Sequence, residues 1–273
     1  MTATRSPAIG RRSGRAPRGL VRVLQLLLLP VLLIALWWVS SATSANYYMP
    51  TPDVIAVTFG EVWFSERLFV DVLPSIGRLL LGFALAAVLG VGLGVVLGLS
   101  PRARAVTEPV LEFFRAVPPP VLVPLLMLLV GVNTPMKLAV IVSGCVWPIL
   151  LNTIEGVRAV DTVLADTCRC YGIRRPRWLT TLVLRSASPQ IMAGLRQGLS
   201  IAIILMVISE MFASSSGLGF TIVQFQRSFA IPEMWSGIVV LGLIGFALSV
   251  LFGVAERYVL GWYHGVRAAS RGE

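Results

Sequence analysis

The sequence is poor in the residues that most binding and catalytic chemistry needs. Of 273 residues only Lys137 is a lysine and only His264 a histidine. A G-x-x-x-x-G-K-[ST] loop needs a glycine before its lysine, and Met136 precedes Lys137, so the chain carries no P-loop for ATP. A single histidine excludes the H-E-x-x-H zinc site, and no G-x-S-x-G elbow occurs. A Ser–His pair inside a membrane would need His264, which lies past the last apolar run. The three cysteines, Cys145, Cys168 and Cys170, together with His264 are too few for a metal site. Cys168 and Cys170 fall in a segment expected in the cytoplasm, where disulfides are rare. The cysteines are read as packing residues, with no metal and no cofactor bound by the chain. These absences argue against an enzyme.

Charge is also scarce. Charged residues make up 13% of the chain, against roughly 25% in soluble domains. What fills the space is apolar: 56% of residues are hydrophobic and the mean hydropathy is +0.83. A membrane span needs about 20 mostly apolar residues. Six runs qualify, near 23–40, 76–99, 117–132, 138–152, 192–212 and 235–259. The expected fold is therefore an all-α polytopic membrane protein with six transmembrane helices. Residues 1–19 are read as a disordered basic cytoplasmic tail, 20–263 as the transmembrane domain and 264–273 as a second cytoplasmic tail. A basic start, an apolar core and small residues at 42–45 also fit a signal peptide, but a first span is preferred in a chain that is itself multi-span. Trp37 and Trp38 fit an interfacial belt at its outer end.

The basic residues test this count. With the N-terminus inside, 19 of the 23 lysines and arginines fall in cytoplasmic segments. Only Arg67, Arg78, Lys137 and Arg227 fall outside. Such a bias is what the positive-inside rule requires and places both termini in the cytoplasm. A net charge of +10 also invites a nucleic-acid reading. That reading is rejected, because the arginines track loops beside anionic lipid and do not gather on one face of a soluble fold.

Few charges lie within the apolar runs. Ion-coupled transporters usually carry ionisable residues there. Here Glu210, near the outer end of the fifth run, is the main exception, so the driving energy is expected from outside the chain. Glu210 is expected to face the pathway or to pair with an arginine such as Arg78, with a plain interfacial carboxylate as the bland alternative. Gly82, Ala86, Gly90, Gly94 and Gly98 recur every four residues and form a small-residue stripe. It fits a close contact either with a neighbouring span or with another subunit. The run Ala116–Pro124 holds Pro119 and Pro120 among four prolines. Non-helical backbone at membrane depth must face protein or a water-filled cavity, so these prolines, with Asn152, are candidate pathway residues. A helix that simply starts at the prolines is the other reading.

The polar insert between the fourth and fifth runs is the most informative segment. Val163, Leu164, Thr167 and Tyr171 recur at helical spacing. Gly172 then permits a turn that a side chain would oppose. Arg174, Arg175 and Arg177 follow, and a second helical piece, 178–184, leads to Pro189 at the mouth of the fifth run. A solvated basic loop anchored to lipid headgroups is the bland reading.

This insert resembles the EAA motif of binding-protein-dependent permeases, E-A-A-x-x-x-G, nine residues, then I-x-L-P. Aligned on Gly172, the acidic position is Asp166, the two small positions are Thr167 and Cys168, and the later positions are Leu182, Leu184 and Arg185. Arg185 departs from the motif's proline. Further fragments resemble the nitrate/sulfonate/taurine subgroup: Met49–Pro52, Ser75–Gly82, Asn152–Thr153, Gly156–Val157, Gly194–Arg196, Ser209–Met211, Gly217–Gly219, Glu256–Arg257 and Trp262. The resemblance implies the permease subunit of a type I ABC importer in a bacterial plasma membrane. It implies a permease homodimer or heterodimer, two cytoplasmic P-loop ATPases that bind the ATP and Mg, and an extracytoplasmic binding protein. Residues about 158–190 would be the coupling loop. Val163, Leu164, Asp166, Thr167, Cys168, Tyr171, Gly172, Arg174 and Arg175 would meet the ATPase. The solute would be a nitrate-, sulfonate- or taurine-like anion or a vitamin precursor. The alternative is a secondary transporter or channel subunit without an ATPase.

Overall fold

The computed structural model describes residues 18–44, 46–212, 215–263 and 265, with side chains from Leu28 onward. The tail expected at 1–19 lies outside them except for Arg18 and Gly19, which are helical. The tail expected at 264–273 lies outside them except for Gly265. The described chain falls into two compact units, one up to Ala56 and one from Val57 onward.

The first unit holds α1, Arg18–Thr43, which covers the first expected span. Hydroxyls near its end bond back to the preceding turn: Ser41 Oγ donates to the Trp37 carbonyl at 2.8 Å and Thr43 Oγ1 to that of Val39 at 2.9 Å. The chain then enters α2, Pro52–Trp63, at a proline, which is tolerated in a first turn.

In the second unit a π-helical turn, Leu68–Val72, runs into α3, Leu73–Leu99. α4, Pro101–Ala116, follows, capped by Ser100, whose Oγ accepts from the Ala103 N–H at 3.3 Å. A 3₁₀ turn, Pro119–Val121, leads to α5, Leu122–Val130. α6, Thr134–Arg158, starts at an Asn133 cap that accepts from the Met136 N–H at 3.0 Å. The short helices α7, Thr162–Cys170, and α8, Arg175–Trp178, precede a second π turn, Leu179–Val183. The rest is α9, Leu184–Phe212, α10, Leu218–Arg227, and α11, Ile231–Val259.

Among the described residues, four helical runs are long and apolar enough to cross a membrane: Leu68–Leu99, Thr134–Arg158, Arg175–Phe212 and Ile231–Val259. They carry the second, fourth, fifth and sixth expected spans, and all four are longer than expected. Helical hydrogen bonding continues past the point where hydropathy falls. The fifth run begins at Arg175, so Pro189 lies inside the helix and not at its mouth. Without a proline at Arg185, nothing stops the helix there. The third expected span, 117–132, holds only the 3₁₀ turn and α5, and reaches membrane length only together with α4. α4 and the segment Pro119–Val130 are bent by 74° at the prolines, which remove backbone donors and break the hydrogen-bond ladder. The arginines expected in the second-to-third loop therefore lie on α4.

α6 is the core of the second unit. Of its apolar window 44% is buried, against 6% for α11. α3 packs on one face, and the small-residue stripe makes that possible. A Cβ on Gly82 would lie 2.8 Å from Ile141, on Gly90 2.8 Å from Ile149, on Gly94 2.6 Å from Thr153 and on Gly98 2.7 Å from Val157. The stripe thus packs inside the subunit. α9 packs on α6 as well: Gly194 approaches Asn152 and Pro148, while Gly198 approaches Ile149. Leu79, Ala86, Ile141, Cys145, Ile149, Leu205 and Met206 fill the space between the three helices.

Candidate functional site

Two regions hold the residues singled out above. The first is α7 and its turn. Asp161 caps the helix, with Oδ1 accepting from the N–H of Val163 at 2.7 Å and of Leu164 at 3.4 Å. The helix ends in a Schellman motif: the Gly172 N–H donates to the Arg169 carbonyl and the Ile173 N–H to that of Cys168, both at 3.0 Å. The motif needs a left-handed residue after the cap, and Gly172 supplies it at φ +63°. At about 100° per residue, Val163, Leu164, Thr167 and Tyr171 share one face. That face is open: Val163 is 70% exposed, Leu164 50% and Tyr171 81%. The Thr167 hydroxyl is satisfied by the Val163 carbonyl at 2.7 Å. Asp166 pairs with Arg169 at 2.9 Å, both exposed. Cys168 is half-buried, and Arg174 and Arg175 are exposed.

The opposite face of α7 lines a cleft. Arg169 and Arg175 stand there with Leu99, Ile173, Trp178 and Leu179 around about 730 Å³. A smaller adjoining cleft shares Leu99, Arg169 and Trp178 and adds Arg104 and Arg158.

The second region lies at the far end of α9. Glu210 is fully buried. Its Oε1 accepts from Arg78 Nη1 at 2.7 Å, and the Ser75 hydroxyl lies 2.8 Å from both carboxylate oxygens. Its Oε2 accepts from the Gly219 N–H at 3.1 Å. Beside it the Gly217 N–H donates to Asp71 Oδ1 at 3.1 Å and the Leu218 N–H to Ser75 Oγ at 3.0 Å. The three amides that open α10 are thus held by three side chains. Lys137, 5% exposed, lies within electrostatic reach of Arg78 and Glu210. Arg78 and Lys137 were counted with the outer segments, but they lie on membrane-length helices beside the Glu210 carboxylate. Gly217, at φ +120°, leaves no room for a side chain, since a Cβ would sit 2.5 Å from the Glu210 carboxyl carbon.

The other pathway candidates have separate surroundings. Pro119 is half-buried and would lie 3.1 Å from a Cβ on Gly144, while Pro120 is exposed. Asn152 Nδ2 donates to the Pro148 carbonyl at 2.8 Å and to Gln197 Oε1 at 3.4 Å. Glu210, Pro119, Pro120 and Asn152 therefore do not form one cluster. Asp161 and Asp71 went unmarked in the sequence. Of these only Asp161 carries a local signal, an N-cap residue immediately before an apolar helical pattern.

Residues 86–260 match the family described as the binding-protein-dependent transport system inner membrane component. A Bacillus subtilis protein named as an aliphatic sulfonates transport permease, SsuC, is 31% identical over 261 residues, 95% of this chain and 94% of its own. The taurine transport system permease protein TauC of Escherichia coli is 26% identical over 238 residues, 85% and 86% of the two chains. Among solved structures, inward-facing conformations of the MetNI methionine ABC transporter align with a TM-score of 0.59. The alignment is 17% identical and covers 69% of this chain and 94% of that one, so the likeness is one of fold. With the family matched over most of its length, this chain belongs to the inner membrane components of binding-protein-dependent transport systems.

Proposed function

We infer that this chain is the permease of an importer in which a separate P-loop ATPase docks on α7 from the cytoplasm. The ATPase would bind the ATP and Mg. An extracytoplasmic binding protein would deliver the solute, and a second permease chain would complete the pathway. Both termini would lie in the cytoplasm. The relatives named for aliphatic sulfonates and taurine support a small sulfonate-like anion as cargo.

The observation that carries this reading is the open apolar face of α7. Val163, Leu164 and Tyr171 are exposed on a helix that buries none of its residues. Helix-in-groove contacts draw affinity from apolar anchors at this spacing, and rim charges such as Asp166 and Arg174 set orientation and rate. Gly172 fixes the helix end, so its replacement misaligns the helix. A Cβ there would touch nothing within 4 Å, and the strain comes from the left-handed backbone alone, about 1–2 kcal/mol for an L-residue.

The test is transport with the reconstituted complex. Tyr171→Asp places a charge in the groove and should reduce co-purification of the ATPase at least tenfold. Gly172→Val should leave the ATPase bound while binding protein no longer stimulates hydrolysis. Gly172→Asn, which tolerates the left-handed region, should restore coupling. Normal uptake by both Tyr171→Asp and Gly172→Val would remove α7 as the docking element.

A further inference from the structure

The cleft behind α7 has a chemistry of its own. It lies on the helix face opposite Val163, Leu164 and Tyr171, and of its lining residues only Arg175 was expected to meet the ATPase. Its walls pair cations with apolar surface: Arg169 and Arg175 against Leu99, Ile173, Trp178 and Leu179. Arg104 and Arg158 stand in the adjoining cleft. Arg169 and Arg158 already hold carboxylates, Asp166 at 2.9 Å and Glu155 at 2.8 Å. Among the described residues, Arg104 and Arg175 make no ion pair.

The depth of the cleft identifies its occupant. Leu99 ends the 32-residue run Leu68–Leu99, and Arg175 begins the 38-residue run Arg175–Phe212. At 1.5 Å per residue these are about 48 and 57 Å long, whereas the hydrocarbon core is about 30 Å thick. Both runs are therefore longer than the core, so the cleft where their ends meet lies outside the hydrocarbon, on the side of the headgroups, where an indole such as that of Trp178 is at home. A ligand at that depth with an anionic head and an apolar tail complements the walls. Arginine forks match phosphate geometry, and basic pockets between membrane helices bind anionic headgroups. We propose that this cleft is a binding site for an anionic glycerophospholipid. The phosphate lies among Arg175, Arg169 and Arg104, and an acyl chain lies along Leu99, Trp178 and Leu179. A lipid seated there braces α7 from behind while its apolar face stays free.

The test uses the full chain, purified with its partner subunits and reconstituted into nanodiscs that contain a photoactivatable phosphatidylglycerol. The readout is crosslinked peptide by mass spectrometry. Crosslinks should map to peptides holding Leu99 and Trp178–Leu179, and a phosphatidylcholine probe should give at least fivefold less. Each arginine near such a headgroup contributes about a fivefold attraction, so Arg169→Gln with Arg175→Gln should lower crosslinking about 30-fold. Arg227→Gln, near the end of α10, should leave it unchanged. Millimolar inorganic phosphate should not compete. Equal labelling by the phosphatidylcholine probe would overturn the site, as would full labelling of the double variant. Complete displacement by inorganic phosphate would also overturn it, by making the ligand a soluble anion. None of these readouts depends on transport, so the outcome stands apart from that of the α7 variants.

Discussion

At the residue scale, Glu210 carries the most concentrated electrostatics in the molecule. It is fully buried and holds Arg78, Ser75 and the Gly219 amide at once. Removing one partner of a buried pair costs about 3–5 kcal/mol, because the other charge is left uncompensated. Glu210→Gln leaves Arg78 and Lys137 facing each other without the carboxylate, so it should lower stability by about 3 kcal/mol. Thermal unfolding in detergent measures this. Arg78→Gln combined with Glu210→Gln should cost clearly less than the two single losses together. A transport defect in Glu210→Gln is then expected through structure as much as through any contact with solute. Sequence patterning marked Glu210 and suggested Arg78 as a partner. Ser75 and Asp71 were invisible to it, because their partners lie more than 130 residues away in the chain. The resembling fragments Ser75–Gly82, Ser209–Met211 and Gly217–Gly219 turn out to be three walls of one polar cluster. Likewise Gly194–Arg196 meets Glu256–Arg257 through an Arg196–Glu256 ion pair.

At the element scale, the small-residue stripe on α3 makes a prediction with its own control. Gly94 faces Thr153 and the Leu150 carbonyl, so a methyl group there forces the two helices apart. Gly94→Ala should destabilise by about 1–3 kcal/mol, as overpacking does. Gly92 lies two residues away with nothing within 4 Å of a Cβ. Gly92→Ala should be neutral or stabilising by up to about 1 kcal/mol, from helix propensity alone. The paired unfolding midpoints report whether the stripe is a packing seam. The stripe was legible because its period is local. So were the second, fourth, fifth and sixth apolar runs and the turn at Gly172. The helix ends were less so. Hydropathy stops at the last apolar residue, whereas the backbone ladder runs on through Asp71 and Arg175. The short helices α2 and α10 depend on packing that period and propensity do not encode.

At the scale of the whole molecule, the cysteines test orientation. Cys170 is exposed, Cys168 half-buried and Cys145 buried with its thiol toward the Gly198 carbonyl at 3.2 Å. An impermeant maleimide should label Cys170 first, Cys168 more slowly and Cys145 hardly at all. It should do so in inverted membranes and not in intact cells; labelling of intact cells would reverse the assigned orientation. The run Arg175–Phe212 spans the molecule from α7 to the Glu210 cluster, about 57 Å at helical rise. A rod fixed at one end does not translate when its other end is pushed; it swings. If the proposed ATPase pushes at Arg175, the buried charges around Glu210 would be the pivot. Gly194 and Gly198, where the rod rests on α6, lie between them and move through a shorter arc. Any stroke delivered at the tip thus reaches the bundle reduced in length and increased in force, the mechanical advantage of a lever with a salt-bridged fulcrum.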